Sequence, residues 1–299
     1  MTAVGGSLRS FVVSRFIRLY PAFWVCCTIT FVAVAAIGAP RYTASLGQYA
    51  INLSMLSEFV GVDSIDGSYW SLYVEMRFYA LVGVVLLLGR IRQAEPILAA
   101  WLIASVALEI LPIAKLRFLL IAEYSAYFIA GATCFMIWSR GLTPARAAMI
   151  LVSWGLALHQ SIQGLPQFEK TYNTRLSVLA ITGITTAFFS VMLLISLKRT
   201  GVFGRKRWQW AGVLTYPLYL LHQKIGFMIF NSAYPAVNAH LLLWGTLASV
   251  LAAACAVHVF VEKRYAPRLK RAINDLFDAI PIPAMRAGAC ESAAPAERS

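Results

Sequence analysis

Charge is what this chain has least of. Asp, Glu, Lys and Arg make up 13% of its 299 residues, against about 25% in an ordinary soluble domain. With 60% hydrophobic residues and a mean hydropathy of +0.69, a string of water-soluble domains is excluded and one polytopic bundle remains. Cysteine is scarce too. Of Cys26, Cys27, Cys134, Cys255 and Cys290, four lie in apolar runs. Their spacing suits neither a disulfide framework nor a metal site, so they read as small core residues. No Gly-rich phosphate loop, nucleophile elbow or internal repeat occurs, and the first apolar run is too long for a cleavable signal. The net charge of +13 comes in short basic runs between apolar segments. That is the pattern of cytoplasmic loops, not of a nucleic-acid surface.

What the chain does have is hydrophobic length. Runs near the roughly 20 residues needed for a bilayer-spanning helix recur at about 19–38, 70–89, 95–113, 118–138, 146–161, 176–197, 209–230 and 239–261. The expected fold is all-α, a polytopic transmembrane helix bundle of about eight spans. Arg9, Arg15 and Arg18 precede the first span, and Arg90 and Arg92 follow the second. Arg140 and Arg146 follow the fourth, Lys198, Arg199, Arg205, Lys206 and Arg207 the sixth, and Lys263, Arg264, Arg268, Lys270 and Arg271 the eighth. The opposite connections hold only Arg41, Lys115, Arg117, Lys170 and Arg175. The positive-inside rule then sets both termini in the cytoplasm. Within the connection 39–69, Leu46, Tyr49, Leu53 and Leu56 are three or four apart, which predicts an interfacial helix. Leu269, Ile273, Leu276, Phe277 and Ile280 predict another beyond the last span, and 281–299 reads as a disordered tail. The division is thus 1–265, an integral-membrane domain, and 266–299, a cytoplasmic amphipathic segment and tail.

The rare polar residues inside these runs are the candidates for chemistry. Ser71, Glu75 and Tyr79 fall at i, i+4 and i+8, one stripe of a helix. An acid within a span marks either a pathway or a packing tie to a neighbouring helix. Arg77, two residues from Glu75, points away from the stripe and is not expected to be its partner. Arg15 and Arg18 share a face at i, i+3. They are either snorkelling anchors or an anion clamp, since guanidinium forks suit phosphates. Counted from Trp70, Glu75 lies about 7–8 Å below the outer face, with the arginines at the opposite one. A shared mechanism therefore demands a polar cavity between them. His222 lies about 18–20 Å along a helix starting near Trp210, followed by Gln223 and Lys224 and preceded by the kinking Pro217. It is either an interhelical hydrogen bonder or part of a pathway. His159, His240 and His258 read as structural. Glu123 and Tyr124 extend the polar path at the outer face, and Glu262 reads as an ion pair with Lys263.

Five blocks carry a family resemblance. Arg15, Arg18, Pro21 and Trp24 resemble the R-x-x-R-x-x-P-x-x-W block of the membrane acyltransferase-three family, the O-acyltransferases of bacterial envelopes. The run from Trp70 to Tyr79 is similar to its W-S-L-x-x-E-x-x-F-Y signature, with Met76 and Arg77 departing from the residues common there. Tyr127, Phe128 and Gly131 match its Y-F-x-x-G block. Thr215 through His222 resemble its S-Y-x-L-Y-L-x-H block, and Phe260 through Lys263 its closing F-V-E-K. The resemblance covers roughly residues 10–265. It implies transfer of an acyl group, usually acetyl, from cytoplasmic acetyl-CoA or another acyl-CoA, with no metal. The acceptor would be a hydroxyl of an envelope glycan or lipid-linked sugar. Arg15 and Arg18 would hold the donor, Glu75 with Tyr79 would orient or deprotonate groups along the path, and His222 would be a further polar site. Location in the bacterial inner membrane follows, with membrane lipid, the acceptor and a membrane-protein partner as contacts and no nucleic acid. The family usually has two spans ahead of the R-x-x-R block, the first bearing a basic residue and a His. The chain is therefore expected to be N-terminally truncated relative to the family, and inactivity of that form is one expectation. The alternative is a non-catalytic multi-pass transporter or accessory membrane protein, for which broken helices also serve.

Overall fold

The computed structural model describes residues 8–201 and 209–279. Among them are eleven α-helices and no strand: α1 (Leu8–Ile37), α2 (Leu46–Asn52), α3 (Trp70–Leu87), α4 (Ala94–Ile110), α5 (Ala114–Leu119) and α6 (Ala122–Arg140). These are followed by α7 (Pro144–Tyr172), α8 (Val178–Ser196), α9 (Gln209–Ala233), α10 (Ala239–Val257) and α11 (Ala266–Ala279). Arg205, Lys206, Arg207, Ile280 and the tail lie outside the described residues. The helical membrane bundle expected from sequence is what the chain forms. Among the described residues, six helical stretches are long and apolar enough to cross a membrane: Leu8–Ile37, Gly67–Leu87, Ile91–Ile110, Ala114–Arg140, Val178–Ser196 and Ala239–Ala279. At the positions of the other two expected spans stand the helices α7 and α9, which are more polar, carrying His159 and Gln160 in one and His222, Gln223 and Lys224 in the other.

Several boundaries differ from the hydropathy reading, each for a local reason. α1 begins at Leu8 rather than near residue 19, because Arg15 and Arg18 are good helix formers whatever their polarity. The fifth segment is a 29-residue helix, not a short one. The Thr143 hydroxyl caps it by accepting from the Arg146 N–H, Pro144 supplies its first turn, and Asn173 ends it in the left-handed region. α10 passes through a π-helical segment, His258–Tyr265, straight into α11. The second amphipathic helix is therefore a continuation of the last span.

The helices pack as two groups. α1, α9 and α10 enclose one core, with Leu19, Phe23, Cys26, Cys27, Leu220 and Met228 at its centre. α4, α6, α7 and α8 enclose another, where Ala126, Ala130 and Ala157 let backbones approach closely. Cys26, Cys27 and Cys134 are buried as expected, whereas Cys255 is exposed on α10. α3 joins the groups. Leu72 lies in the first core, and the Phe78 ring stacks on Phe128 of α6 at 4.3 Å.

The connection 38–69, where an interfacial helix is expected, forms the short helix α2 and folds back along α1. Tyr49 stacks on Phe31 at 4.5 Å, the Trp24 indole N–H donates to the Leu53 carbonyl at 2.9 Å, and Tyr20 O–H donates to the Ser54 carbonyl at 2.9 Å. Tyr20 is 17 residues before Ile37, about 25 Å of helix. The chain then reverses through Met55 and Gly61, both at positive φ, and starts α3 beside the middle of α1. Tyr69 meets Phe23 there, ring to ring at 5.0 Å. Tyr49 and Leu53 pack toward α1, whereas Leu46, Leu56, Phe59 and Val60 are exposed.

Candidate functional site

That fold-back along α1 decides where Glu75 sits. The short 3₁₀ turn Gly67–Tyr69, capped by Asp66, opens α3 at mid-height, so α3 descends antiparallel to the first half of α1. Tyr79 reaches Arg15, and Gly83 faces Leu8. Glu75 therefore stands about level with Leu19 and not at the opposite end of the bundle from the arginines. The long cavity that the sequence demanded between them is not needed. Tyr79 spans the gap: its hydroxyl donates to Glu75 Oε1 and accepts from Arg15 Nη1 at 3.4 Å. The Arg15 guanidinium also lies over two rings, Tyr79 at 5.2 Å and Phe11 at 5.5 Å. Its Nε is buried with no hydrogen-bond partner among the described residues. Of the five donors a guanidinium carries, one is used among the described residues, and weakly.

The other candidates are placed around this contact. Arg18, one turn on, is exposed and makes no hydrogen bond or ion pair among the described residues. Ser71 Oγ lies 2.8 Å from the Tyr219 hydroxyl, which donates to the Ser68 carbonyl at 2.7 Å. The polar stripe of α3 thus faces α1 at its lower end and α9 at its upper end. His222 is not brought to Glu75. It is exposed on α9, and its Nδ1 lies 2.8 Å from its own Tyr219 carbonyl. With the proton on Nδ1, Nε2 is left as an acceptor. Arg77 leaves the stripe as expected, donating to the Phe118 carbonyl and lying over the Phe118 ring at 4.0 Å. Glu262 pairs with His258, whose Nδ1 is 2.6 Å from Glu262 Oε2 across the π-helical segment, rather than with Lys263. Tyr124 packs on Trp70 at 5.3 Å, and Glu123 is exposed.

Sequence reasoning assigned no role to three groups that build this site. Asp66 is fully buried, and its two oxygens accept backbone N–H groups from Ser68 at 2.9 Å and from Lys224 at 3.0 Å, tying the start of α3 to α9. Its signal was legible: an acid followed by glycine just ahead of a helix is a cap. Gly67 lets the Gln223 amide pack close, since a Cβ there would lie 3.0 Å from it. Tyr219 joins Ser71 to α9. Tyr216 donates to the Leu19 carbonyl at 3.0 Å and ties α9 to α1.

Chemically, the arrangement joins a carboxylate, a phenol and a half-buried guanidinium with unused donors, beside a second free guanidinium. That set can bind an anion at the arginines and move a proton at the carboxylate. Among the described residues, no group of three His, Cys, Asp or Glu side chains is placed to hold a metal. A model of the acyltransferase-three family, described as an acyltransferase domain, matches residues 4–261. No curated protein and no solved structure matches the chain.

Proposed function

Because the chain belongs to the acyltransferase-three family and is an acyltransferase, we propose that it moves an acyl group, acetyl in the simplest case, from a cytoplasmic acyl-CoA to a hydroxyl. The acceptor would be an envelope glycan or lipid-linked sugar, and the setting the bacterial inner membrane. The observation that carries this reading is the Arg15–Tyr79–Glu75 contact, in which a cation with spare donors meets a carboxylate inside a helical bundle. The start of α1 and the end of α11 lie together, with Arg9 Nη1 2.7 Å from Asp278 Oδ1. That contact supports the reading that both ends face one side, and the basic loops favour the cytoplasm for that side.

In this mechanism Arg15 and Arg18 receive the donor phosphates, as guanidinium forks do. The acceptor hydroxyl attacks the thioester carbonyl, a C–O bond forms and the C–S bond breaks. Glu75 takes the hydroxyl proton and returns it to the departing thiolate, which leaves as the free thiol. Tyr79 keeps Glu75 and Arg15 in register so that donor and base arrive together. His222, farther up α9, accepts a hydrogen bond from the acceptor at Nε2. The test is transfer of labelled acetyl from acetyl-CoA to endogenous glycan in membranes carrying the chain. Loss of transfer and of acetyl-CoA binding in Arg15→Gln, with loss of transfer alone in Glu75→Gln, is the expected result. Acetyl-CoA binding unchanged by Arg15→Gln would overturn the donor assignment.

A further inference from the structure

The polar groups on α9 do not end at His222. Farther along, Lys224 and Asn231 meet Arg41 and Tyr42, which follow α1. The turn that brings them back depends on Gly38. A Cβ there would lie 2.4 Å from the Val34 carbonyl oxygen and 2.7 Å from that of Tyr42, so the backbone doubles back only over glycine. Once there, the Tyr42 hydroxyl accepts from Asn231 Nδ2 at 3.0 Å, Asn231 Oδ1 accepts from Arg41 Nη1 at 3.3 Å, and Lys224 Nζ lies 4.7 Å from the centre of the Tyr42 ring.

Two cations thus converge on one ring and one amide, and neither has a carboxylate within ion-pair distance among the described residues. Asp66 is close to Lys224 along the chain path, but both of its oxygens are engaged by backbone N–H groups. The lysine side chain leaves it for Tyr42. A half-buried ammonium without a counter-ion is unfavourable in a membrane bundle, and a ring face compensates it only in part.

We propose that Arg41, Tyr42, Lys224 and Asn231 form a receiving site for a lipid-borne phosphate, at the end of the bundle opposite Arg9 and α11. The guanidinium and ammonium supply the charge. Lys224 is two residues from His222, about 3 Å of helix rise. The two side chains leave α9 on different faces, so the phosphate site is separate from His222. Its use in acyl transfer rests on the function proposed above, while the anion site rests on this geometry alone.

The test is titration of the purified full chain, in zwitterionic detergent without acyl donor, with farnesyl monophosphate and with farnesol. Farnesyl monophosphate is expected to bind at least tenfold more tightly than farnesol, and Arg41→Gln with Lys224→Gln to abolish that difference. Lys224→Arg should restore most of it, which separates charge from folding. Competition by phosphatidylglycerol would assign the site to lipid headgroups in general, and competition by inorganic phosphate to the phosphate alone; either supports the anion site. Equal affinity for the two farnesyl compounds, or an unchanged preference in a double variant with the wild-type melting temperature, would overturn it. Acetyl-CoA binding, which depends on Arg15, is expected to be unaffected by the double variant. Failure of one site is therefore distinguishable from failure of the other.

Discussion

The two helical groups each enclose an arginine, one fully and one by half, and they treat it differently. In the α4–α6–α7–α8 group, Arg146 is 6% exposed and uses both terminal nitrogens at 2.7 Å, one on Glu95 and one on the Gly141 carbonyl. Glu109 in the same group is likewise enclosed, by Arg117 at 3.4 Å, Gln160 at 2.8 Å and His159 at 4.0 Å. In the α1–α3–α9–α10 group, Arg15 makes a single 3.4 Å hydrogen bond, and Arg18 makes none among the described residues. The Arg146 Nε, like that of Arg15, has no hydrogen-bond partner among the described residues, so the contrast lies at the terminal nitrogens. Terminal donors engaged within the bundle hold helices together, and those left open are free to meet a ligand. On the proposed function, that difference separates a supporting half from a working half.

The largest effect expected from breaking this contrast is on the open side. Arg15→Gln or Glu75→Gln should lower acyl transfer by about 10²–10³-fold, with little change in melting temperature, as measured by label transfer and thermal unfolding of the same preparations. Arg146→Ala should do the opposite. It strands Glu95, which is 30% exposed, so the cost should be about 2–3 kcal/mol, below that of a fully buried pair. Transfer per folded molecule should be unchanged. If Arg146→Ala impaired transfer as Arg15→Gln does, at equal folded content, the division into halves would fail.

A smaller effect sharpens the contrast between histidines. His159 lies beside Glu109, whereas His222 has one ring nitrogen on its own helix and the other without a hydrogen bond among the described residues. His222→Ala should cost about tenfold in transfer, roughly 1.4 kcal/mol in the barrier. His159→Ala should leave transfer as it is and lower stability slightly. Equal kinetic effects of the two would remove His222 from the site.

Much of this was legible in the chain, and the limits are instructive. Helical class, the membrane setting and the stripe Ser71–Glu75–Tyr79 follow from periodicity, which is local. The stripe is one face of one helix, and the direction of Arg77 follows from the same geometry. The closeness of Arg15 to Glu75 could not be read, because it depends on the path of 38–69. Hydropathy records how apolar Leu46, Leu53 and Leu56 are, not whether they face lipid or α1. Leu53 packs toward α1 while Leu46 and Leu56 stay exposed, a division set by tertiary structure and not by their apolarity. Likewise Glu262 was assigned to its neighbour Lys263. The i, i+4 pairing with His258 was available on any helix, but the π-helical winding across it was not foreseeable from composition.

The smallest expected effect lies at the boundary of the working half, where α11 meets the start of α1. Arg9 donates to Asp278 at 2.7 Å and to the Asn274 carbonyl at 2.8 Å, and its guanidinium lies over Phe277 at 5.1 Å. The Arg9 hydrogen bond holds the Asp278 carboxyl below its ordinary value. A depressed carboxyl pKa stabilises the docked state at all pH values above the unfolded value. That contribution is lost as pH falls through the folded one. At neutral pH the contact is fully present, and because Asp278 is solvent-exposed its worth is small and screened by salt. Asp278→Asn should therefore leave the melting temperature nearly unchanged and increase hydrogen exchange across 266–279. In the wild type the same increase should appear only on acidification below the usual aspartate range. If exchange in α11 rose equally in both proteins at neutral pH and high salt, screening of Arg9 would account for the whole effect. No change in either under any of these conditions would mean that α11 is held by Phe277 and its apolar neighbours alone.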